Sequence, residues 1–312
     1  MKFFSLSFLF LAVVLPMTAP AAAQQSGSDW AAAASDQYLV YPDRAYGYNS
    51  GSQLKLDLWQ AQSKDPVPTV VYIHGGGWFF GDRTGALPYM MPWLERGWNV
   101  VDVEYRMSGT AVAPAAVEDV RCALRWIYRN AAEYRLDTDR IIVTGHSAGG
   151  HLSLMAGMLA DSDGLDNNCP ADAASGDKPI HVAAVVDWYG PADIPDLIDG
   201  ANRRTYAVAW LGSLPDRVAV ARRVSPLSYV RPGLPPIFIV HGDQDPVVPY
   251  EHSLRMHWEL DRLHLPNQLY TVPGGKHGFF GAEANRKAYS AIFDFLEKNV
   301  PSLPKRSAAP QR

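Results

Sequence analysis

The sequence predicts an α/β fold with a mainly parallel central sheet, helices on both faces and an N-terminal antiparallel hairpin. Short apolar, β-branched runs are typical of strands that are covered on both faces. These runs lie at 67–73, 98–105, 140–144, 182–188, 237–241 and 268–272. They alternate with helical patterns, which indicates parallel strands joined by helices. Only 193–224 breaks the alternation, and we expect a small helical excursion there.

The first residues have the pattern of a signal peptide. Lys2 supplies the positive charge, 3–15 form the apolar segment and 21–23 are the small residues of a cleavage site. The apolar run is short for a membrane span, and no stop-transfer pattern follows it. We therefore expect an exported protein, secreted or periplasmic, without a membrane anchor.

After the predicted signal peptide, 1–23, the chain is expected to form one large domain. A polar lead-in at 24–40 precedes the domain at 41–302, and a flexible tail at 303–312 follows it. The chain has 312 residues, of which 47% are hydrophobic, so it can bury a substantial core. Its net charge of −4 argues against nucleic acid as a partner.

The individual elements follow from local patterns. Alternating leucines on either side of the turn at 49–52 predict a hairpin over 41–59. Apolar residues at three- and four-residue spacing predict a helix after Pro114. They are Val117, Val120, Leu124, Ile127, Tyr128 and Ala131. A closing helix is predicted after Ala284. The excursion follows a strand end, where a ligand crevice opens in such sheets.

The cysteines leave two possibilities open. The chain has two cysteines, Cys122 and Cys169, and Cys122 lies in the predicted helix. In an oxidising compartment they could form a disulfide, although a domain of this size does not need one. Cys122 could equally be a buried, inert thiol.

The motif Gly145-His146-Ser147-Ala148-Gly149 carries the strongest chemical signal. It follows the β-branched run at 140–144 and opens into a helical pattern, which is the sequence form of a nucleophile elbow. Ser147 must hold a strained backbone to expose its hydroxyl at the turn. The flanking glycines remove side chains that would collide there.

A serine hydroxyl needs a base to accept its proton, and the base needs a carboxylate to orient it. In this architecture the chain order is serine, acid, histidine. His277 follows the last predicted strand and is the candidate base. Asp245 and Asp243 follow a buried strand, and we favour Asp245 because it lies deeper in the loop. Asp243 is expected to brace the turn.

Acyl transfer also needs hydrogen-bond donors for the developing oxyanion. A glycine run at 75–77 follows the first central strand, so the N–H groups of Gly76 and Gly77 are candidates, together with that of Ala148. The run matches neither a dinucleotide fingerprint nor a phosphate loop. The histidines show no metal-ligand spacing, and we expect neither metal nor cofactor. Four aromatic residues beside the motif loops could line a pocket or belong to the core: Trp78, Trp188, Tyr189 and Phe279.

With these motifs in place, the chain over about 41–300 resembles the α/β-hydrolase esterases. His-Gly-Gly-Gly-Trp at 74–78 is similar to the hormone-sensitive-lipase side of that superfamily. The bifunctional feruloyl and acetyl-xylan esterase-like branch is closer still, through the segments 145–152, 225–226, 241–249 and 275–279. Tyr-Arg-Met-Ser at 105–108 departs from the Tyr-Arg-Leu-Ala-Pro-Glu run of the lipase-like relatives.

The resemblance implies an α/β-hydrolase fold with Ser147 as nucleophile, Asp245 as acid and His277 as base. It implies oxyanion donors at Gly76 or Gly77 and at Ala148. The expected function is a secreted serine carboxylesterase that acts on small or polysaccharide-linked esters, with acetyl or feruloyl groups as first candidates. The alternatives are an amide or peptide hydrolase on the same residues and a catalytically inactive binding module.

Overall fold

The computed structural model describes residue 32 and residues 34–166, 169–170, 178–213 and 215–304. The predicted signal peptide at 1–23 and the last eight residues of the predicted tail lie outside the described residues. The chain divides into a short N-terminal unit, 1–36, and a main unit that begins at Gln37. The main unit is described below.

In the part of the chain that the structure describes, eight strands form one sheet in the order β1-β2-β4-β3-β5-β6-β7-β8. They are β1 Tyr38–Asn49, β2 Ser52–Ala61, β3 Val67–Ile73, β4 Asn99–Val103, β5 Leu136–His146, β6 Ala184–Trp188, β7 Ile237–Gly242 and β8 Asn267–Val272. The hairpin β1–β2 is antiparallel, and β2 also pairs antiparallel with β4. All other neighbours are parallel. The predicted fold class is confirmed.

The inner strands are buried along almost their whole length. Every residue of β4, β6 and β7 is buried, which matches their apolar and β-branched composition. β5 begins at Leu136, four residues before the predicted run, because Leu136 pairs with Val67 of β3. This extension depends on pairing with a neighbouring strand, so no local sequence pattern predicts it. Because β3 to β8 are parallel, their carboxyl ends lie at the same edge of the sheet.

Within the described residues of the main unit, seven α-helices accompany the sheet. They are α1 Leu87–Leu94, α2 Ala115–Tyr134, α3 Ala148–Met158, α4 Thr205–Leu211, α5 Arg217–Arg223, α6 Glu251–Arg262 and α7 Ala282–Asn299. α2 and α7 are the two helices predicted from periodicity. α4 and α5 form the expected excursion within 193–224. Of the helices in the described residues, none has the length and apolar character that crossing a bilayer requires.

A disulfide joins Cys122 of α2 to Cys169, across 47 positions of sequence. Cys122 is buried, and Cys169 packs against the same hydrophobic core. The structure thus resolves the choice that the sequence left open in favour of the pair. The bond ties the helix that covers β5 to the segment that follows α3.

We expect the double variant Cys122→Ala, Cys169→Ala to be less stable than the parent chain by up to about 4 kcal/mol. This value is the free energy that corresponds to the conformational entropy lost by the unfolded chain when the disulfide closes a loop of this length. The free energy of unfolding in urea, with and without reductant, measures it. Reductant should destabilise the parent chain and leave the double variant unchanged. Equal sensitivity of both proteins to reductant would contradict the prediction.

Candidate active site

Ser147 lies in a sharp turn between β5 and α3, with φ 58° and ψ −119°. Its N–H donates to the carbonyl of Trp188 at 2.8 Å, which fixes the turn against β6. A Cβ on Gly149 would lie 2.0 Å from the carbonyl oxygen of Ile73, and one on Gly145 would lie 2.3 Å from the same atom. Only glycine fits these two positions, because α3 starts directly against the end of β3.

Three side chains from separate loops meet at this turn. Ser147 Oγ lies 2.8 Å from His277 Nε2, and His277 Nδ1 lies 2.7 Å from Asp245 Oδ2. An ionised carboxylate can only accept hydrogen bonds, so Nδ1 of His277 carries the proton and donates it to Asp245. Nε2 is then free to accept the bond from the Ser147 hydroxyl. The structure brings the predicted serine, acid and histidine into one hydrogen-bonded series.

The Asp245 carboxylate is completely buried and surrounded by donors. Its Oδ1 accepts the N–H groups of Val247 at 2.7 Å and Val248 at 3.0 Å. Its Oδ2 accepts from His277 and lies 3.1 Å from His241 Nε2. Burial alone would raise the pKa of Asp245, but the bonds from His241 and His277 outweigh it and hold the pKa below its usual range. The group is therefore ionised at neutral pH.

Asp243, the other acid considered, occupies a different position. Its Oδ1 accepts the N–H of Gly274 at 2.7 Å, and the residue is exposed. This bond ties the loop after β7 to the loop that carries His277. Asp243 therefore offers a matched control for Asp245, since it is the same residue type two positions away in the same loop.

The glycine run after β3 lies beside the elbow. A Cβ on Gly75 would lie 3.5 Å from the Cβ of Ser147. Gly76 has φ 113°, and its carbonyl accepts the N–H groups of Phe79 and Phe80, both at 3.1 Å. A Cβ on Gly76 would lie 1.9 Å from the carbonyl oxygen of Phe80, so this tight turn requires glycine. Gly77 and Ala148, the other predicted donors, belong to the same two backbone segments that flank Ser147.

A cavity of about 360 Å³ opens next to His277. Trp188, Tyr189 and Phe279 line it, which is the pocket position that the sequence allowed as an alternative to the core. Tyr89 of α1 and Tyr289 of α7 line it as well. A larger cavity of about 850 Å³ adjoins it and shares Tyr289, but its described lining contains neither Ser147, Asp245 nor His277. The smaller cavity is therefore the one related to the candidate site.

Trp78, in contrast, is not among the lining residues. Its side chain is fully buried, and its ring stacks on Trp210 of α4 with centroids 4.0 Å apart. The ring of His151 packs edge-on against it at 5.0 Å. Trp78 therefore belongs to the core that joins the excursion to the sheet, which corrects its expected place in the pocket.

Four residues around the site have left-handed backbone conformations although they are not glycine. They are Trp78 with φ 62°, Ser147 with φ 58°, Tyr189 with φ 46° and Phe279 with φ 54°. Such conformations cost about 1–3 kcal/mol each and are typical of functional sites. The Tyr189 N–H donates to the carbonyl of Val240 at 2.7 Å, which holds that turn. Its ring lies edge-on to His277 at 4.8 Å.

Sequence reasoning missed four contributors to the site. His241 was interpreted only as a strand end, yet it contacts Asp245, and its spacing of four residues from Asp245 was the available signal. Tyr89 and Tyr289 come from helices far apart in sequence, and no motif marks them. His146 lines the cavity too, and burial together with the charge of His277 lowers its pKa to about 3.

His151 on α3 gives a prediction about pH and stability. Burial lowers its pKa to about 4, although its Nε2–H donates to the carbonyl of Val224 at 2.7 Å. Between pH 4 and the unfolded value near 6.5, the unfolded chain binds the extra proton, so the contribution of His151 to stability falls as pH falls. We expect His151→Gln, which keeps a donor, to reduce the slope of unfolding free energy against pH by about 1.4 kcal/mol per pH unit.

The measurement is urea unfolding at several pH values between 4 and 6.5. Asp187, whose pKa burial raises to about 7, contributes a slope of opposite sign. That contribution is common to both proteins and cancels in their difference. An unchanged slope in His151→Gln would contradict the assignment of a neutral, buried His151.

Within the described residues, no group of His, Cys, Asp and Glu side chains is arranged to hold a metal ion. The polar groups that meet at Ser147 bond to one another and to the backbone. What this arrangement can do chemically is activate a hydroxyl by removing its proton.

Comparison with known proteins identifies the family. The BD-FAE family profile matches residues 56–260. Esterase LipQ of Mycobacterium tuberculosis is 31% identical over 268 residues, which cover 81% of this chain and 61% of LipQ. The solved bifunctional GH43-CE protein of Bacteroides eggerthii is 29% identical, with a TM-score of 0.73, over 84% of this chain and 35% of that chain.

A truncated carbohydrate esterase from gut microbiota is 27% identical, with a TM-score of 0.64, over 86% of this chain and 98% of that one. The chain spans about three fifths of the length of the curated relatives it matches. The family match covers well over half of this chain and includes Ser147 and Asp245, while His277 follows it. The chain belongs to the BD-FAE family and has the α/β-hydrolase fold of the esterases it matches.

Proposed function

We propose that the protein is a serine carboxylesterase that hydrolyses esters through an acyl-enzyme on Ser147. The observation that carries the proposal is the bonded series from Ser147 through His277 to the buried carboxylate of Asp245. The esterase names of its relatives support the same reaction class. The N-terminal pattern at 1–23 supports export, either secreted or periplasmic.

In the first half-reaction, Ser147 Oγ attacks the ester carbonyl while its proton passes to His277 Nε2. Asp245 stabilises the imidazolium that forms and keeps the ring in the required tautomer. His277 then gives the proton to the leaving alcohol, and the acyl group stays on Ser147. In the second half-reaction, water attacks the acyl-enzyme with His277 again as base, and Ser147 is regenerated.

Negative charge develops on the carbonyl oxygen in both steps. The N–H of Ala148 at the start of α3 and those of Gly76 or Gly77 are the donors proposed to receive it. The loop that contains the glycines is adjacent to Ser147 and needs glycine for its turn. Losing one such donor in comparable enzymes raises the barrier by about 3–4 kcal/mol.

For the substrate, we propose esters of a carbohydrate, with an acetyl or a feruloyl acyl group. One solved relative is a carbohydrate esterase from gut microbiota, and another is the bifunctional GH43-CE protein of Bacteroides eggerthii. The cavity beside His277 has aromatic walls, formed by Trp188, Tyr189 and Tyr289 among others. Flat aromatic walls favour an aromatic group of matching size.

The test is a panel of esters assayed with Ser147→Ala as the blank. It contains p-nitrophenyl acetate, butyrate and octanoate, methyl ferulate, acetylated xylan and an aminoacyl anilide. Serine-dependent hydrolysis of short esters together with acetylated xylan or ferulate would support the full proposal. Comparable turnover of the anilide would make the protein an amide hydrolase. No turnover, and no labelling of Ser147 by an organophosphate, would leave an inactive binding module.

A further inference from the structure

His241 lies behind the acid of the candidate site and has no role in the mechanism described above. It belongs to β7 and is completely buried. Both of its ring nitrogens are engaged: Nε2 lies 3.1 Å from Asp245 Oδ2, and Nδ1 lies 2.6 Å from Ser253 Oγ on α6. Burying a histidine with both nitrogens satisfied by side chains requires two partners at fixed positions.

The protons in this arrangement can be assigned. Because the Asp245 carboxylate only accepts, Nε2 of His241 carries the proton and donates to it. Nδ1 of the neutral ring then accepts the hydroxyl proton of Ser253, which can rotate to point at it. The bonded series therefore runs from Ser147 through His277 and Asp245 to His241 and ends at Ser253.

Two histidines thus donate to the same oxygen of Asp245. His277 approaches Oδ2 at 2.7 Å and His241 approaches it at 3.1 Å, while Oδ1 accepts two backbone N–H groups. Four donors fill the lone-pair sites of the carboxylate and fix its plane. They also disperse its negative charge, so that less of it acts on His277 alone.

The other groups that face His241 are aromatic. Tyr250 packs edge-on against its ring at 5.5 Å, and Tyr189 lies at 6.3 Å. Tyr250 Oη bonds to Thr271 on β8, and burial is the main cause that raises the pKa of Tyr189. The phenol of Tyr189 is therefore neutral near pH 7. Asp245 is the charged group that contacts His241, and His277 is joined to His241 through Asp245.

We propose that His241, held by Ser253, is a positioning residue for the esterase reaction. It fixes the plane of the Asp245 carboxylate and thereby the direction and basicity of His277. This inference rests on the proposed function, since it concerns the same reaction. A residue that acts in this way should affect kcat and the pH profile more than KM.

The central test is His241→Leu, assayed with a p-nitrophenyl ester over pH 5–9. We expect kcat to fall by about 10- to 100-fold, the range for losing a bond to a charged group. With one donor fewer, the charge of Asp245 acts more strongly on His277. The acid limb of kcat/KM should therefore move to higher pH by about half a unit or more. KM should stay nearly constant.

Two further variants separate positioning from simple structural support. His241→Gln keeps an amide N–H that can reach Asp245, and it should restore most of kcat and the parent acid limb. Ser253→Ala leaves His241 in place but removes its support, so it should give a smaller change in the same direction. His252→Leu is the matched control, because His252 is equally buried but bonds to Asp196. It should lower stability without moving the acid limb.

The outcomes are distinguishable. If the parent protein shows no Ser147-dependent turnover, the proposed function fails and the inference fails with it. If the parent is active and folded His241→Leu has the parent kcat and acid limb, only the inference is overturned. If His241→Leu does not fold, Ser253→Ala decides, and a parent-like pH profile in that variant overturns the inference. Near-ultraviolet circular dichroism reports folding in each case.

Discussion

Ser147→Ala is expected to lower kcat by about 10⁵- to 10⁶-fold while the protein stays folded. Losses of this size follow removal of the nucleophile in serine hydrolases, because the acyl-enzyme can no longer form. Binding and the oxyanion donors would leave a small residual rate. The fold should survive, since Ser147 Oγ bonds only to His277 in the described structure and alanine has nearly the same volume.

The measurements are kcat on p-nitrophenyl acetate, labelling by an organophosphate reagent, and urea unfolding. Ser153→Ala is the matched control, because Ser153 lies on α3, which begins directly after Ser147, and its hydroxyl donates to the carbonyl of Gly149 at 2.7 Å. That variant should stay within a few-fold of the parent rate. If Ser147→Ala keeps more than a hundredth of the parent kcat, Ser147 is not the nucleophile.

Asp245→Asn is expected to lower kcat by about 10⁴-fold, a loss known for the equivalent change in a serine protease. The amide of asparagine donates where the carboxylate accepted, so Nδ1 of His277 must become the acceptor. The proton then moves to Nε2, and the ring can no longer take the Ser147 proton. The neutral amide also stabilises the imidazolium much less than the carboxylate does.

Asp243→Asn provides the comparison. Its side-chain oxygen can still accept the N–H of Gly274, so activity should change by no more than a few-fold. Both variants are assayed across pH, and unfolding free energies check that each is folded. A larger loss in Asp243→Asn than in Asp245→Asn would mean that the acid of the site has been assigned incorrectly.

Much of the fold follows from local sequence patterns. β3, β7 and α2 are marked by unbroken apolar runs or by helical periodicity, and such patterns depend only on which faces are buried. The elbow is equally local, since Gly145 and Gly149 must be glycine to fit against Ile73. These elements can therefore be predicted from the sequence alone.

Other features depend on contacts that no local pattern records. The early start of β5 at Leu136 comes from pairing with β3. The burial of Trp78 results from Trp210, which lies in the excursion. The contact of His241 with Asp245 required the loop after β7 to fold back on its own strand. Each of these is a consequence of tertiary packing, so sequence reasoning could name the residues but not their partners.

The left-handed residues of the site set a limit on how this protein can be engineered for heat resistance. Replacing Ser147 or Tyr189 by glycine would relieve the backbone strain. Selection of variants for thermal stability alone would therefore favour these substitutions, although they would reduce or abolish activity. His264 and Ser50 also have left-handed backbones, with φ 53° and 50°, but they lie in turns away from Ser147. Glycine at His264 is the safer first substitution for raising thermal stability, because Ser50 Oγ accepts a hydrogen bond from the buried Arg106 at 3.0 Å.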